Sequence, residues 1–409
     1  MELLAPAGNL EKLKFAVDYG ADAVYFGGTA GSLRAGAGNM DANEIHAGTE
    51  YAHRRGRRAY MALNTFAHDE DFAPIDALLR DVKDAGIDAF IVADPGILSL
   101  VRERLPDAAL HLSTQANLTN ARAARFWRDA GVSRIILARE LTLAEISALR
   151  AAVPQDMELE CFVHGAMCLS YSGRCLLSNA MTGRDANRGA CAHPCRYEYS
   201  LMEAKRPGEY LPVMQEGRSA FILNSKDLCM IEHIPALAAA GIHALKIEGR
   251  MKSAYYTAVT TAAYRAALDA WREEADAWVF RDVWRQELEK ASHRPLATGF
   301  YFGWPGADGQ DAGGGGYIKT YDFVGVVKSY DAASGCALVE QRNKFAAGDR
   351  IEFFGPDRVI FAQTIEQMQD EEGNAIDSAP HAQQRILIKT AVPVGENYIL
   401  RRQKTENTV

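Results

Sequence analysis

The chain has 409 residues, 48% of them hydrophobic and 24% charged, with a formal net charge of -8. This composition is that of a soluble globular protein and excludes a disordered chain, and the length suits one barrel of roughly 250 residues with a smaller companion. The acidic balance argues against a generic nucleic-acid coat, which is usually basic, while leaving room for a local basic site. The start, MELLAPAGNLEKLK, carries acid early. No run of about 18 uninterrupted apolar residues occurs, so the expectation is a cytoplasmic protein with no membrane partner.

From Glu2 to about Tyr256, short β-rich runs alternate with amphipathic stretches, the pattern of repeated βα units around a parallel sheet. The runs are ELLAPA (2–7), DAVYFGG (22–28), RAYMALN (58–64), AFIVAD (89–94), LHLSTQ (110–115), RIILAR (134–139), LECFVHG (159–165) and ALKIEGR (244–250). Helical candidates between them, such as NLEKLKFAVDYG and IDALLRDVKDAG, carry apolar residues at three- and four-residue spacing. Eight units predict a (β/α)8 TIM-like barrel over residues 1–275, with a doubly wound open sheet as the runner-up. Polar or special residues recur at the ends of the runs: Pro6, Tyr25, Asn64, Asp94, Ser113, Gln115, Arg139, Glu140, His164, Lys246, Glu248 and Arg250. In a barrel those ends form the face that carries the site, although Asn64 and Asp94 also suit caps or turns.

The connection after the seventh run is about 80 residues long, far beyond an ordinary βα loop, and contains a cysteine-rich insert at 166–229. A helix and a Gly-rich linker, WPGADGQDAGGGGYIK, follow within 276–318. From 319 to 409 the pattern turns to strands without long helices, which predicts a small all-β barrel domain.

Six of the seven cysteines, Cys161, Cys168, Cys175, Cys191, Cys195 and Cys229, lie between Glu160 and Cys229, and only Cys336 lies elsewhere. Cys161 and Cys336 sit in apolar runs and read as core residues. The other five stand in Gly-, Ser- and Arg-rich sequence, where an inert buried thiol has no apolar surround. In a reducing compartment this favours metal ligation over disulfides. Four thiolates could hold zinc or an iron-sulfur cluster, and the Cys-x2-Cys pairs of zinc ribbons are missing. Cys229 follows Asn224-Ser225-Lys226-Asp227, a cap-like start to a helix DLCMIEHI that would favour a thiolate. Cys195, four residues after Cys191, reads as a spare thiol.

Between His164 and Tyr197 the insert carries Arg174, Arg184, Arg188 and Arg196 against Asp185 alone. These arginines either neutralise a thiolate cluster or receive RNA phosphates. Lys246 and Glu248 share one face of a strand, with Arg250 at its end, a set that suits a carboxylate substrate through charge-assisted hydrogen bonds. His164 adds a candidate base. His164, Lys246, Glu248 and Arg250 are thus the catalytic candidates. The glycine run after the second strand lacks a dinucleotide fingerprint, and neither G-x-S-x-G nor H-E-x-x-H occurs.

The insert HGAMCLSYSGRCLLSNAMTGRDANRGACAHPCRYEY, with SKDLC, LKIEGRMKS, APAG and YFGG, resembles the collagenase-like peptidase family U32, and within it the branch that hydroxylates tRNA. The resemblance covers nearly the whole chain. It implies a barrel domain, a [4Fe-4S] cluster on Cys168, Cys175, Cys191 and Cys229, and oxygen-independent hydroxylation of the wobble uridine of tRNA to 5-hydroxyuridine. Prephenate is then the expected hydroxyl source, a small dicarboxylate co-substrate, and an electron donor a further partner. It also implies that the terminal domain is a β barrel like the second domain of translation factors. Other branches act on ribosomal RNA or ubiquinone precursors, and the family name implies proteolysis, for which the residues offer no machinery.

Overall fold

The structure is a computed structural model, which describes residues 1–33, 38–168, 170–197, 200–202, 210–212, 225–305, 309 and 317–404. All eight predicted runs form strands: β1 (Glu2–Pro6), β2 (Ala23–Gly27), β3 (Arg58–Leu63), β4 (Ala89–Val92), β5 (Ala109–Leu112), β6 (Arg134–Ile136), β7 (Glu158–Gly165) and, as the eighth barrel strand, β11 (Ala244–Ile247). Each pairs in parallel with the next, and β11 pairs with both β7 and β1, so the sheet closes. Closure excludes the open doubly wound sheet. The strands are buried nearly end to end because helices cover their outer face, which is why they read as continuous apolar runs.

Six helices follow the first six strands: α1 (Leu10–Asp18), α2 (Ala42–His53), α3 (Asp69–Asp81), α4 (Pro95–Arg104), α5 (Ala121–Asp129) and α6 (Leu143–Ala152). Their starts are written locally. Asn9, Asp94 and Asn120 accept from the first-turn amides of α1, α4 and α5, and Asp41 with Glu44 and Thr142 with Glu145 form reciprocal caps. Asp94 is therefore a helix cap, one of the two roles its sequence allowed.

The long connection after β7 contains α7 (Leu177–Thr182), a short pair β8 (Ser200–Met202) and β9 (Tyr210–Pro212), and β10 (Asp227–Cys229), which runs antiparallel to the end of β7. The expected helix at Asp227 is thus a strand, followed by a 3-10 turn at Ile231–His233 and α8 (Ile234–Ala239). Pairing of Leu228 and Cys229 with Gly165 and His164 overrides the local capping signal. Asn224, part of that signal, lies outside the described residues.

After β11 come α9 (Ala254–Glu273), α10 (Asp282–Lys290) and β12 (Leu296–Ala297), the last parallel to β10. Most of the Gly-rich stretch, 306–308 and 310–316, lies outside the described residues. The terminal domain is antiparallel and all-β, built on β13 (Tyr321–Asp331), β14 (Cys336–Gln341), β15 (Phe345–Ala346), β16 (Arg350–Phe354), β17 (Ile360–Thr364), β18 (Met368–Gln369), β19 (Ala375–Ile376), β20 (Ser378–Ala379), β21 (Arg385–Lys389) and β22 (Ile399–Gln403). The order β17-β16-β22-β13-β14-β21-β18-β19 surrounds its own core of Val324, Val339, Phe353, Ile386 and Leu400. Cys161 is buried as expected, and burial pushes its thiol up to about 12. Cys336 is only half-buried, because it opens β14 beside the turn from Asp331 rather than sitting mid-strand.

The barrel interior is charged. Arg134 bonds Glu2 at 2.6 Å, Glu158 at 2.6 Å and Glu160 at 3.2 Å, Arg58 also pairs with Glu2, and Lys246 reaches Glu160 at 2.9 Å. His111 packs edge-on against Tyr60 with ring centroids 4.8 Å apart. Burial, reinforced by Arg134, Lys246 and Arg58, pushes its imidazole well below the ordinary range. The folded state therefore keeps His111 neutral where the unfolded chain, with a pKa near 6.5, takes up a proton. Its contribution is intact above about pH 6.5 and is lost as the pH falls below that value. Urea melts should show His111→Gln losing less stability than the parent between about pH 6.5 and 4.5, by up to about 1.4 kcal/mol per pH unit. Identical pH slopes would remove His111 from this role.

Candidate active site at the barrel mouth

A pocket opens at the carboxyl ends of the strands. Tyr25, Asn64, Ser113, Gln115, Arg139, Phe162, Lys246, Glu248 and Arg250 form its walls, and Ser172 of the cysteine segment closes it. The cavity of about 40 Å³ has room for about three waters. Most of the polar run ends that the sequence marked thus meet on one wall. Asn64 lies here, anchored through its Oδ1 by the Leu33 N–H at 3.2 Å, rather than in a cap.

Lys246 stands at the inner end. Its Nζ donates to Glu160 and lies 4.2 Å from the Tyr25 ring centroid and 5.6 Å from that of Phe162. Burial lowers its pKa and the Glu160 carboxylate opposes that shift. Lys246 takes Glu160 as its hydrogen-bond partner, while Glu248, on the same pocket, accepts from Tyr25 Oη at 3.3 Å. The sequence reasoning missed Glu160, which reads as one polar residue in an apolar strand, with a partner 86 positions away.

Arg250 is 3% exposed, and its Nη2 donates to Ser32 Oγ at 2.8 Å. The YFGG glycine makes this possible: a Cβ on Gly27 would stand 2.5 Å from Arg250 Nη1. Arg139, opposite, donates to Ala166 O at 2.9 Å and lies 5.5 Å from the Phe162 ring centroid. Burial alone would lower its pKa, but the Cys168 sulfur, Glu140 and Glu248 more than reverse that, so Arg139 stays charged.

His164 is not among the pocket's lining residues. It sits between Tyr256 and Tyr264 of α9, with ring centroids 6.0 Å and 5.5 Å away, and burial lowers its pKa to about 4. Its Nδ1 has no hydrogen-bond partner. The structure therefore brings Lys246, Glu248 and Arg250 together and leaves His164 behind them.

The cysteine segment roofs the pocket. A Cβ on Gly173 would lie 2.7 Å from Phe66 Cε2 and 3.1 Å from Gln115 Oε1, so only glycine, at φ 71°, lets the backbone lie so low. Arg174 stacks on Phe66 at 5.1 Å. Further out, Arg188 reaches Glu70 at 3.2 Å and Asp71 at 2.8 Å, fastening the segment to the first turn of α3. Arg188 is thus committed to an ion pair, whereas Arg184 is exposed; of Arg196 only the backbone is described.

Cys175 and Cys191 flank α7: the Cys175 N–H donates to Asn187 Oδ1 at 3.2 Å, and the Ala192 N–H to Ser178 Oγ at 3.0 Å. Cys195 lies in the next 3-10 turn. Cys168 is exposed beside Arg139, and Cys229 stands across from His164 with Tyr264 Oη 3.8 Å from its sulfur. Burial raises the Cys229 thiol, while the Ile231 N–H and Tyr264 oppose it. Among the described residues no three Cys, His, Asp or Glu side chains converge into a metal-holding group. The donor chemistry suits a cluster, but this arrangement of the segment does not gather the thiols around one.

Fold and pocket together define a (β/α)8-barrel protein with its site at the carboxyl mouth. Comparison with known proteins narrows the class. The pattern of peptidase family U32 matches residues 8–311, and that of the peptidase family U32 C-terminal domain matches residues 319–401. The chain belongs to peptidase family U32. It is 43% identical over 403 residues to tRNA hydroxylation protein P1 of Bacillus subtilis (strain 168), covering 98% of this chain and 95% of the relative. It is 40% identical to the 23S rRNA 5-hydroxycytidine C2501 synthase of Escherichia coli (strain K12), over 67% of this chain and 40% of that one. It is 30% identical to a collagenase of Porphyromonas gingivalis (strain ATCC BAA-308 / W83), over 90% of each. Among the described residues no helix is long and apolar enough to cross a membrane.

If Arg188 holds the roof down, Arg188→Ala should speed limited proteolysis between residues 166 and 197 several-fold and leave the thermal unfolding of the barrel unchanged. Equal cleavage rates would show that the ion pairs with Glu70 and Asp71 do not restrain the segment.

Proposed function

We propose that the protein is a cytoplasmic tRNA-modifying enzyme that hydroxylates the wobble uridine at C5 without molecular oxygen, with prephenate as hydroxyl donor. The observation that carries this reading is the convergence of Arg139, Lys246 and Arg250 on a buried pocket roofed by the cysteine segment. Three buried cations suit a small dianion, because each carboxylate can take a charge-assisted pair where solvent screens it little. The U32 relatives named for tRNA hydroxylation and for 5-hydroxycytidine synthesis support RNA as the second substrate.

In this reading Arg250 and Arg139 hold the two carboxylates, and Lys246, fixed by Glu160, supplies the third positive charge. Glu248, held by Tyr25, is the acid-base candidate at the mouth. The present cavity is too small for a dicarboxylate with a ring, so entry requires the roof at Ser172–Arg174 to lift. The ligands proposed for a [4Fe-4S] cluster are Cys168, Cys175, Cys191 and Cys229, and the cluster would supply one-electron chemistry drawn from an external electron donor. Binding it requires the segment to bring these thiols together. Zinc is the alternative metal.

Proteolysis is the weaker reading. The pocket-lining residues include neither histidine nor cysteine, and the hydroxyls of Ser113 and Thr114 are engaged by Asn64, the Gln115 N–H and the Leu137 carbonyl rather than by a base.

Two results test the proposal. Arg250→Ala should reduce 5-hydroxyuridine in tRNA by at least about a hundredfold, the scale of losing a buried charge-assisted contact, while iron content stays at the parent level. Unchanged nucleoside mass profiles would take Arg250 out of the site. Cys229→Ser, purified anaerobically, should lose iron and the absorbance near about 400 nm expected of a thiolate-held cluster. Full retention of iron and sulfide would exclude that ligand set and make Cys195 the replacement.

A further inference from the structure

One buried acceptor in the pocket is left unused by the carboxylate contacts. Gln115 is 3% exposed, lines the pocket, and its Oε1 has no hydrogen-bond partner. An unsatisfied buried amide oxygen costs about 1–3 kcal/mol, so its retention calls for an explanation. The backbone that carries it is fixed. It belongs to a 3-10 turn, Thr114–Ala116, in which the Gln115 N–H donates to Ser113 Oγ at 3.3 Å and Thr114 Oγ1 donates to Leu137 O at 3.0 Å. Asn117 closes the turn in the left-handed region at φ 53°, with its Nδ2 donating to Gln115 O at 2.8 Å. A turn with a strained non-glycine residue thus aims a carboxamide into the site.

The neighbouring groups do not compete for that oxygen. Asn64 Nδ2 donates to Ser113 Oγ at 3.4 Å, Lys246 Nζ to Glu160, and Arg250 Nη2 to Ser32. The carboxylates that the three cations would hold cannot donate to Gln115, which leaves the hydroxyl of the co-substrate as the rival donor. What Oε1 lacks is a donor, and a ligand edge that also offers the amide Nε2 an acceptor would engage both ends of the carboxamide. A pyrimidine base offers that pair on its Watson–Crick edge: in uracil, N3–H beside O4.

We propose that Gln115 reads the Watson–Crick edge of the target uridine, its Oε1 accepting the N3–H once the roof residue Gly173 has lifted from it. The inference rests on the RNA reading above and adds the residue that positions the base. Because the carboxamide carries a donor and an acceptor, it fixes the base edge without opposing the cations that hold the co-substrate.

The test is a double-substitution cycle on the intact, anaerobically prepared protein. Affinity is measured by fluorescence anisotropy, at one salt concentration, for an anticodon stem-loop RNA carrying either uridine or N3-methyluridine at the target position. The parent protein should bind the methylated RNA about tenfold or more weakly, the scale of one lost hydrogen bond with a buried group left unpaired. Gln115→Leu should bind both RNAs equally, at the weaker level. It should also melt no lower than the parent, since it removes an unsatisfied buried acceptor.

Equal binding of both RNAs by the parent, or a full methylation penalty retained in Gln115→Leu, overturns the proposal. So does a variant that loses binding of a keto-dicarboxylate while keeping the RNA coupling, which would assign the oxygen to the co-substrate. A parent that binds neither RNA would instead bring down the RNA reading itself.

Discussion

Everything at the mouth depends on the charge network inside the barrel. Glu2 on β1, Arg134 on β6, Glu160 on β7 and Lys246 on β11 lie on four strands, each pair bonds between strands rather than along one, and Glu158, at the more exposed start of β7, adds to Arg134. Buried charges cost several kcal/mol each to desolvate and recover that only in good geometry, so such a network is weak evidence of stability. Its effect is on register. A one-residue slip of β7 would turn Glu160 outward, strip Lys246 of its carboxylate and leave Arg134 to Glu2 alone on that side. The same register sets Phe162 on the pocket wall and stations Lys246 where a ligand's negative charge can reach it.

Above that network, the wall and the roof come from different parts of the chain, and small residues let them meet. Gly27 leaves space for the Arg250 guanidinium, and Gly173 lets the roof rest on Phe66 and Gln115. The roof is tied at Arg188 and through hydrogen bonds around α7, while the thiols stay apart. A segment held by a few exposed ion pairs and side-chain contacts can rearrange at low cost. The barrel below it, with a core running from Leu3 to Leu268, cannot.

The terminal domain is anchored on the helices rather than on the site. Arg401, fully buried, pairs with Glu287 of α10 at 2.7 Å and with Glu352 of its own sheet. Tyr19 at the end of α1 donates to the carbonyls of Phe354 and Asn397 at 2.7 and 2.9 Å, and Asn397 Nδ2 donates to Asp18 at 2.7 Å. These directional contacts fix how the small sheet sits against the barrel. Val326, Phe354 and Ile399 add apolar continuity by joining the barrel's core.

The sequence by itself determined the barrel, its strand count and the face that carries the pocket, because these rest on local signals: apolar runs, helix caps and polar residues at run ends. It marked Gln115, Arg139, Lys246, Glu248 and Arg250 individually for the same reason. What it could not supply were partners distant along the chain. Lys246 pairs with Glu160 and not Glu248, Arg188 with Glu70 and Asp71, and His164 faces α9 although it ends a strand whose Phe162 faces the pocket. The Cys229 stretch shows the limit most plainly. Its local cap signal asked for a helix, and pairing with the end of β7, more than 60 positions earlier in the chain, made it a strand. Only the tertiary structure decides such cases, because strand pairing and burial outweigh the roughly 1 kcal/mol that a cap contributes.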